Sequence, residues 1–581
     1  MWSKIKNSVR TLCLILGALT LVCLLGLICF AYINSNTINI EDDTYLTIDF
    51  SKPLVETEDT SILADLADET PLQYTKLLQS IEFAATDDKI TGLVAKINVV
   101  DLEPAQVQEI AQTIAKFKTS GKKTIAFSQG FGPFGHGNSE YYLASFFDKI
   151  YMQPHTYIGL TGISIEIPFI KNFLDKIGLD SEFYARYEYK NAMASLTDAK
   201  ISKVYAKEME EFGKAMLAEI KSDIVRNRHL NDTFENIINT APLTAEDGVK
   251  LGLIDGIMYQ SQLEKQLKQD GAQHFVDMND YAAGLYPNSG DLPTVAVLNL
   301  NGEIKDGKTE DSLDSGNVIA GASVVEDIEK IKELPNLKAV VVKINSSGGS
   351  YNAADEIYFA LKQLKQETNV PLIVSQSSYA ASGGYYISLA GDYIFAEPMT
   401  VTGSIGVLGG KMVFAGLWKK LGINWSQIVL GDNAGILSIN HNFSAKEKQI
   451  FNRSLDDVYQ DFTAKVAENR KLTKPMDKIA RGRVWTGRQA LELGLVDEFG
   501  GYSDAVIKAL ELGNVGKNQD IKIVTYPKAK SFTEKLSSLI AGTGTIKAEK
   551  IIEQSGVDIV NLKLFKRLQY DTVMLPIKIN M

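Results

Sequence analysis

The sequence is short of cysteine and histidine and has no excess of positive charge. Its 581 residues include three cysteines and five histidines. Cys13, Cys23 and Cys29 all lie near the N-terminus, which excludes a structural disulfide or a cysteine-rich zinc site from the rest of the chain. The net charge is −11 and the body of the chain has no long basic run, so nucleic-acid binding has little electrostatic support.

Long apolar runs are also scarce, with one exception at residues 11–33. This stretch carries no charge and, at about 1.5 Å per residue, is long enough to cross a hydrocarbon core of roughly 30 Å. Lys4, Lys6 and Arg10 precede it and acidic residues follow, which favours a cytoplasmic N-terminus (residues 1–10) and an extracytoplasmic body. A cleaved signal peptide is the alternative, but the run is longer than a typical h-region and no A-x-A site ends it. We predict an uncleaved single-pass membrane anchor.

The chain contains an internal duplication. Similar segments begin at Tyr141 and at Tyr385, 244 positions apart, and the repeat is about 245 residues long. We predict a first repeat over residues 40–288 and a second over 292–530, separated by the turn-rich segment 286–293. Residues 541–581 form a C-terminal extension outside both repeats, with no assigned function. The matched pairs are Tyr141/Tyr385, Tyr142/Tyr386, Ile150/Ile394, Pro154/Pro398, Gly159/Gly403 and Gly162/Gly406.

Each repeat alternates apolar strands with amphipathic helices. Residues 339–345 and 370–376 are apolar runs of strand length, and residues 353–367 between them have helical spacing. Such a unit implies a right-handed crossover, so we predict an α/β protein with mostly parallel sheets. The charged helical stretch 444–470 is expected to pack outside the sheet.

The two repeats differ at positions that the fold does not require. Gly348 and Gly349 have no glycine counterparts in the first repeat, and Ser382 corresponds to Asn138. A serine on a tight strand-to-helix turn can act as a nucleophile. The N–H of Gly383 and an N–H from Gly348 or Gly349 could then stabilise an oxyanion. The differences therefore point to acyl transfer at Ser382.

The motifs "KINSSGGS", "AASGGYYIS" and "TGSIGV" resemble those of the signal peptide peptidase A (protease IV) family of membrane-anchored serine peptidases. The resemblance is to the long, duplicated form and covers nearly the whole chain. It implies tandem crotonase-like (Clp-protease-like) domains, each a ββα unit, and a bacterial inner-membrane location. Ser347 stands where the family usually has proline, and both glycines are kept.

The resemblance also implies a lysine base, which is Lys190 in "YEYKNAM". Burial would have to lower the pKa of Lys190 by roughly three units for it to be neutral. Lys411 is the runner-up base, and a triad around His441 is a further alternative. Lys343 has a counterpart, Lys96, in the first repeat and is therefore predicted to be structural. Three nearby tyrosines, Tyr184, Tyr187 and Tyr189, are expected to contribute to the burial of Lys190.

By resemblance, Ser404 could hold the lysine amine, although a turn serine that satisfies backbone groups is an equally good interpretation. The implied activity is degradation of cleaved signal peptides that remain in the membrane, by an enzyme with no cofactor or metal. The family resemblance implies a homo-oligomer and suggests a tetramer. Two alternatives stay open, namely a crotonase-like acyl-CoA enzyme and a non-catalytic membrane scaffold.

Overall fold

The computed structural model describes most of the two repeats. The described residues are 40–57, 71–132, 135–230, 233–285, 292–309, 318–516, 519–528 and 578–580, with Gly17 and Thr20. The predicted anchor at 11–33, apart from these two residues, and most of the predicted boundary at 286–293 lie outside them. Within the described ranges, no helix combines the length and the apolar character needed to cross a bilayer.

The first repeat forms a six-stranded sheet of parallel strands in the order β10-β1-β2-β3-β4-β9. Three further strands, β5, β6 and β7, and the short β8 lie off this sheet. The strands are β1 (Thr44–Asp49), β2 (Ile90–Lys96), β3 (Lys123–Ser128), β4 (Lys149–Met152), β5 (Tyr157–Ile158), β6 (Ser164–Glu166), β7 (Asp180–Ala185), β8 (Leu243–Thr244), β9 (Gly256–Ile257) and β10 (His274–Asp277).

The second repeat has the same order, β21-β11-β14-β15-β16-β20, and extends it with β17 on β15 and β19 on β17. The predicted parallel α/β architecture is therefore confirmed in both repeats. The strands are β11 (Thr294–Asn301), β12 (Glu303–Lys305), β13 (Val318–Ala320), β14 (Leu337–Ser346), β15 (Leu372–Ala381), β16 (Tyr393–Ala396), β17 (Val401–Gly403), β18 (Leu408–Val413), β19 (Val484–Thr486), β20 (Glu498–Phe499), β21 (Lys522–Tyr526) and β22 (Lys578–Asn580).

Helices connect these strands and cover the sheets. In the first repeat they are α1 (Tyr74–Thr86), α2 (Pro104–Lys118), α3 (Asn138–Ala144), α4 (Lys171–Ile177), α5 (Ala194–Thr197), α6 (Lys203–Arg228), α7 (Phe234–Thr240), α8 (Ala245–Lys250), α9 (Gln260–Gln269) and α10 (Met278–Gly284). In the second they are α11 (Gly321–Lys332), α12 (Tyr351–Thr368), α13 (Gly383–Ser388), α14 (Ala415–Leu421), α15 (Ala445–Asn469), α16 (Met476–Ile479), α17 (Gly487–Leu493) and α18 (Tyr502–Leu512).

The ends of the longest predicted helices follow from local capping. Helix α12 begins after Ser350, whose side chain accepts the N–H of Ala353, and ends at Asn369 with φ of 54°. Helix α15 begins after Ser444, which forms a capping box with Glu447. The buried side of α12 packs into the core of the second repeat, as its helical spacing predicts.

The duplicated tyrosines make the same hydrogen bond in each repeat. The hydroxyl of Tyr141 donates to the carbonyl of Leu253 at 2.7 Å, and that of Tyr385 donates to Leu495 at 2.9 Å. Both rings are fully buried. These residues therefore match between the repeats because they hold the fold, which sets them apart from the serine and the glycines that do not match.

A strand of the first repeat also pairs with a strand of the second. Strand β7 of the first repeat pairs with β18 of the second in an antiparallel ladder from Ala185/Leu408 to Asp180/Val413. A second joint is the buried contact between Lys343 Nζ and Glu56 Oε2, at 2.5 Å. Because β7 runs along the second repeat, the residues that follow it are carried to the end of β15.

Candidate active site

Ser382 occupies the turn between β15 and α13. Its φ and ψ are 53° and −116°, a backbone conformation that costs free energy for a residue with a side chain. The turn is held because the N–H of Ser382 donates to the carbonyl of Gly403 at 2.9 Å. A strained strand-to-helix turn of this kind presents a nucleophile away from its own backbone.

The equivalent turn in the first repeat is closed by an amide. The side chain of Asn138 donates to the carbonyl of Gly162 at 2.8 Å and accepts the N–H of the same residue at 3.2 Å. Asn138 is thus fully engaged in holding its turn. The hydroxyl of Ser382 has a different partner, which comes from the other repeat.

That partner is Lys190, five residues beyond the end of β7. Its Nζ lies 2.9 Å from Ser382 Oγ, 2.9 Å from Ser404 Oγ and 2.9 Å from the Ser404 carbonyl. The structure therefore brings together the three side chains that the sequence singled out. The amine comes from the first repeat and both hydroxyls come from the second.

Lys190 is deeply buried, and this sets its protonation. Burial lowers the pKa of Lys190 from 10.5 to about 7, and the Glu208 carboxylate opposes part of that effect. A substantial fraction of the amine is consequently neutral near pH 7. A neutral amine within hydrogen-bond distance of a hydroxyl can remove its proton.

Two glycines of the second repeat allow close packing over the lysine. A Cβ on Gly482, which has φ of 87°, would lie 2.6 Å from Lys190 Cβ, and a Cβ on Gly406 would lie 2.7 Å from the Cα of Gly482. Gly482 was not identified from the sequence, where its only signal is a glycine between the two arginines of "RGR".

Two of the three nearby tyrosines have aromatic partners in the second repeat. Tyr187 is 47% exposed and packs against Tyr459, with ring centroids 5.0 Å apart. Tyr184 packs against Phe443 at 6.0 Å. The close approach of Gly482 shows that backbone packing contributes to covering the lysine, and such packing has no side-chain pattern that a sequence can reveal.

Ser404 is held by its backbone so that its side chain faces the amine. Its φ is 50°, and its N–H donates to the carbonyl of Arg483 at 2.8 Å. Its hydroxyl lies 3.4 Å from the Gly482 carbonyl and 2.9 Å from Lys190 Nζ. The two interpretations left open by the sequence therefore coexist, since the turn serine also contacts the lysine.

The paired glycines lie directly against the serine turn. A Cβ on Gly348, which has φ of 117°, would lie 2.8 Å from Ser382 Cβ, so this position requires glycine. The N–H of Gly348 donates to Ser346 Oγ at 3.2 Å. A Cβ on Gly349 would overlap the carbonyl of Ile304, and a Cβ on Gly383 would lie 3.5 Å from Gly349 N. The backbones of Gly349 and Gly383 are therefore adjacent beside Ser382.

The alternative bases have other partners. Lys411 Nζ donates to the Ile436 carbonyl at 3.0 Å and lies 4.1 Å from the centre of the Phe443 ring. His441 Nδ1 lies 2.9 Å from the carbonyl of Asn442. Lys343 is paired with Glu56 at the joint between the repeats, consistent with a structural role. Within the described ranges, no three His, Cys, Asp or Glu side chains are grouped so as to hold a metal ion.

Comparison with known proteins identifies the family. The family described as Peptidase family S49 matches residues 116–274 and 364–516, together more than half of the chain. The chain belongs to peptidase family S49. It is therefore a serine peptidase, and the matched ranges include both Lys190 and Ser382.

Named relatives of this S49 peptidase agree. "Serine protease SPPA, chloroplastic" of Arabidopsis thaliana is 29% identical over 493 residues, 82% of this chain and 70% of that protein. "Protease 4" of Haemophilus influenzae is 28% identical over 520 residues, 84% of this chain and 81% of that protein. "Putative signal peptide peptidase SppA" of Enterococcus faecium is 32% identical over 233 residues, 40% of this chain and 66% of that protein. The solved structure of a ClpP1 mutant from Listeria monocytogenes covers 36% of this chain and 94% of its own, at 17% identity and a TM-score of 0.24.

Proposed function

We propose that this S49 peptidase is an endopeptidase in which Ser382 is the nucleophile and Lys190 is the general base. The observation that carries the proposal is the 2.9 Å contact between Lys190 Nζ and Ser382 Oγ in a buried site. Ser404 orients the amine through its own 2.9 Å contact with Lys190 Nζ.

The chemistry follows from these positions. Ser382 Oγ attacks the carbonyl carbon of the peptide bond while its proton passes to Lys190 Nζ. The tetrahedral intermediate collapses, the C–N bond breaks, and Lys190 returns the proton to the leaving amine. Water then attacks the acyl-enzyme ester with Lys190 again as base, which releases the carboxylic acid and restores Ser382.

The oxyanion is assigned to two backbone donors, Gly383 and Gly349. The N–H of the residue after a serine nucleophile is the usual first donor. Gly349 is preferred over Gly348 because the N–H of Gly348 already donates to Ser346 Oγ. One such donor contributes about 3–4 kcal/mol to lowering the barrier.

The proposed substrates are cleaved signal peptides and other short apolar peptides at a membrane. The name of the Enterococcus relative and the apolar run at 11–33 both support this substrate class. We place the protein in the bacterial inner membrane, with residues 1–10 cytoplasmic and the body extracytoplasmic. We also assign the tandem domains to the crotonase-like fold on the strength of the motifs and the repeated sheet order.

A homo-oligomer is part of the proposal. It is supported by a segment of the second repeat that forms no strand although its counterpart in the first repeat does. Helices α4 and α14 end at equivalent glycines, Gly178 and Gly422, which are 244 positions apart and have φ of 85° and 72°. After Gly178 the chain forms β7, whereas residues 424–429 after Gly422 form no strand. Ile428 in this segment and Leu430 just after it are 91% and 89% exposed.

The matching acceptor is the edge of β6. Strand β6 lies 244 positions before the start of β18, the strand that receives β7 within the chain. A groove of about 510 Å³ lies beside it, lined by apolar side chains that include Ile165, Phe169 and Leu217. In the described part of the chain, β22 pairs with β6. Residues 424–429 of a second copy would have to take the place of β22 on β6, and that pairing would repeat the β7–β18 pairing between copies.

Labelling with a fluorophosphonate probe tests the proposed chemistry. We expect an adduct on Ser382, located by mass spectrometry of the purified protein, and its loss in Lys190→Met. Lys411→Met is the matched control and should label normally. An acyl-CoA enzyme of the crotonase type and a non-catalytic scaffold both predict no adduct. An unlabelled wild-type protein would therefore refute the proposal.

A further inference from the structure

A buried carboxylate lies beside the base on a helix that none of the motifs includes. Glu208, on α6, is 4% exposed. One of its oxygens accepts the backbone N–H of Val484 at 3.1 Å, and the other accepts the side-chain amide of Asn191 at 3.3 Å. Glu208 thus bonds to one residue from each repeat.

These two contacts connect two segments that lie next to Lys190. Asn191 directly follows Lys190 in the chain, and Val484 ends the short segment 482–484. In that segment Gly482 packs on the backbone and Cβ of Lys190, and the Arg483 carbonyl accepts the N–H of Ser404. Glu208 therefore ties the loop that carries the amine to the segment that covers it.

The charge of Glu208 interacts with those of Arg483 and Lys190. Burial raises the pKa of Glu208 to about 7, opposed by its hydrogen bonds and by Arg483 and Lys190. The charge of Glu208 in turn raises the pKa of Lys190 against the effect of burial. Tyr205, on the same helix, has its pKa raised by burial and by Glu208, and Arg483 is paired with Glu211 at 2.7 Å.

We propose that Glu208 is a positioning residue for Lys190, which clamps the lysine loop against residues 482–484 and keeps the amine the stronger base through its negative charge. The inference rests on the proposed Ser382/Lys190 chemistry. Glu208 acts through Lys190 and does not itself touch the reacting atoms, since its described contacts are with Val484 and Asn191.

Replacement by glutamine separates the charge from the clamp. In Glu208→Gln the side-chain oxygen can still accept the Val484 N–H, and the new amide can donate to Asn191 once the Asn191 amide turns over. The shape is kept and the charge is lost. We expect the acidic limb of the pH profile to move to lower pH because the amine loses its attractive neighbour. The plateau should fall by no more than about tenfold, because the amine is then a weaker base.

The measurement is the rate of fluorophosphonate labelling of Ser382 between pH 5 and pH 9, on the full-length protein in detergent. Glu210→Gln is the control, because it removes the same charge from an exposed position on the same helix. The control should reproduce the wild-type limb. A purely structural role for Glu208 predicts no movement of the limb in Glu208→Gln, and that result would overturn the electrostatic part of the inference.

A second variant tests the clamp and keeps the carboxyl group of Glu208. Asn191→Ala removes one of the two bonds, so the labelling plateau should fall, by up to about a hundredfold if the amine shifts by 1 Å. The plateau is the readout for this variant, because the Asn191 bond also lowers the pKa of Glu208 and its loss affects the limb as well. A wild-type plateau in Asn191→Ala would refute the clamp, even if Glu208→Gln failed to fold. Failure of the wild-type protein to label at any pH would instead refute the underlying Ser382 chemistry.

Discussion

Replacing Lys190 by methionine should abolish activity and make the protein more stable. Methionine fills a similar volume without a charge, so the buried site no longer has to accommodate an ammonium group. Burial lowers the pKa of Lys190 from 10.5 to about 7, which corresponds to roughly 5 kcal/mol against charging the amine in place. This free energy is an upper limit for the gain, because methionine also loses the contacts with Ser404.

The gain should depend on pH in a defined direction. Between pH 7 and pH 10.5 the unfolded chain binds more protons at Lys190 than the folded protein, so wild-type stability rises with pH across this window. The penalty is complete below pH 7 and disappears above 10.5. The advantage of Lys190→Met is therefore largest at pH 6–7 and shrinks towards pH 10.

Thermal unfolding of full-length protein in detergent measures this difference. At pH 6.5 we expect Tm of Lys190→Met to exceed that of wild type by several degrees, since about 1 kcal/mol shifts Tm by roughly 2–4 °C in a large domain. Lys250→Met, at an exposed position, should show no pH-dependent difference. A Tm advantage of Lys190→Met that is equal at pH 6.5 and pH 9.5 would refute the claim that burial disfavours the protonated form of the wild-type amine.

Three further outcomes follow from the site. Wild-type peptidase activity should fall as pH drops through about 7, because Lys190 is protonated below that pH, and a pH–rate profile of kcat/KM on a leucine-rich fluorogenic peptide would contradict this if it stayed flat to pH 5. Gly482→Ala should lose activity by a hundredfold or more, since its Cβ would lie 2.6 Å from Lys190 Cβ, and circular dichroism would establish that the fold is kept. Ser404→Ala should reduce kcat by about tenfold to a hundredfold with KM little changed, whereas an effect on KM alone would argue for a role in binding.

Much of the fold could be predicted because the same motifs occur in both repeats. The strand–helix–strand unit of residues 337–381 followed from apolar runs and helical spacing, and its termini differ from the predicted ones by one to five residues. The comparison between repeats also distinguished Tyr385 from Ser382. Tyr385 makes a hydrogen bond that its counterpart repeats, whereas Ser382 stands where the first repeat has a structural asparagine. A residue that differs between two copies of one fold is informative without any other sequence.

The surroundings of Lys190 could not be predicted in the same way. They include backbone of Ser404, Gly406 and Gly482, which are far apart in sequence and carry no periodic pattern. Glu208 was missed because one glutamate on a charged helix looks like a solvated residue until its helix is packed. Long-range backbone packing decides both cases, and local sequence holds little record of it.

The pairing of β7 with β18 bears on how the proposed dyad is assembled. In the proposed mechanism the nucleophile comes from the second repeat and the base from the first, so the dyad requires this pairing between the repeats. The second repeat also supplies Gly482 and Ser404, which lie against Lys190. The burial that lowers the pKa of the amine therefore requires the same contact between the repeats.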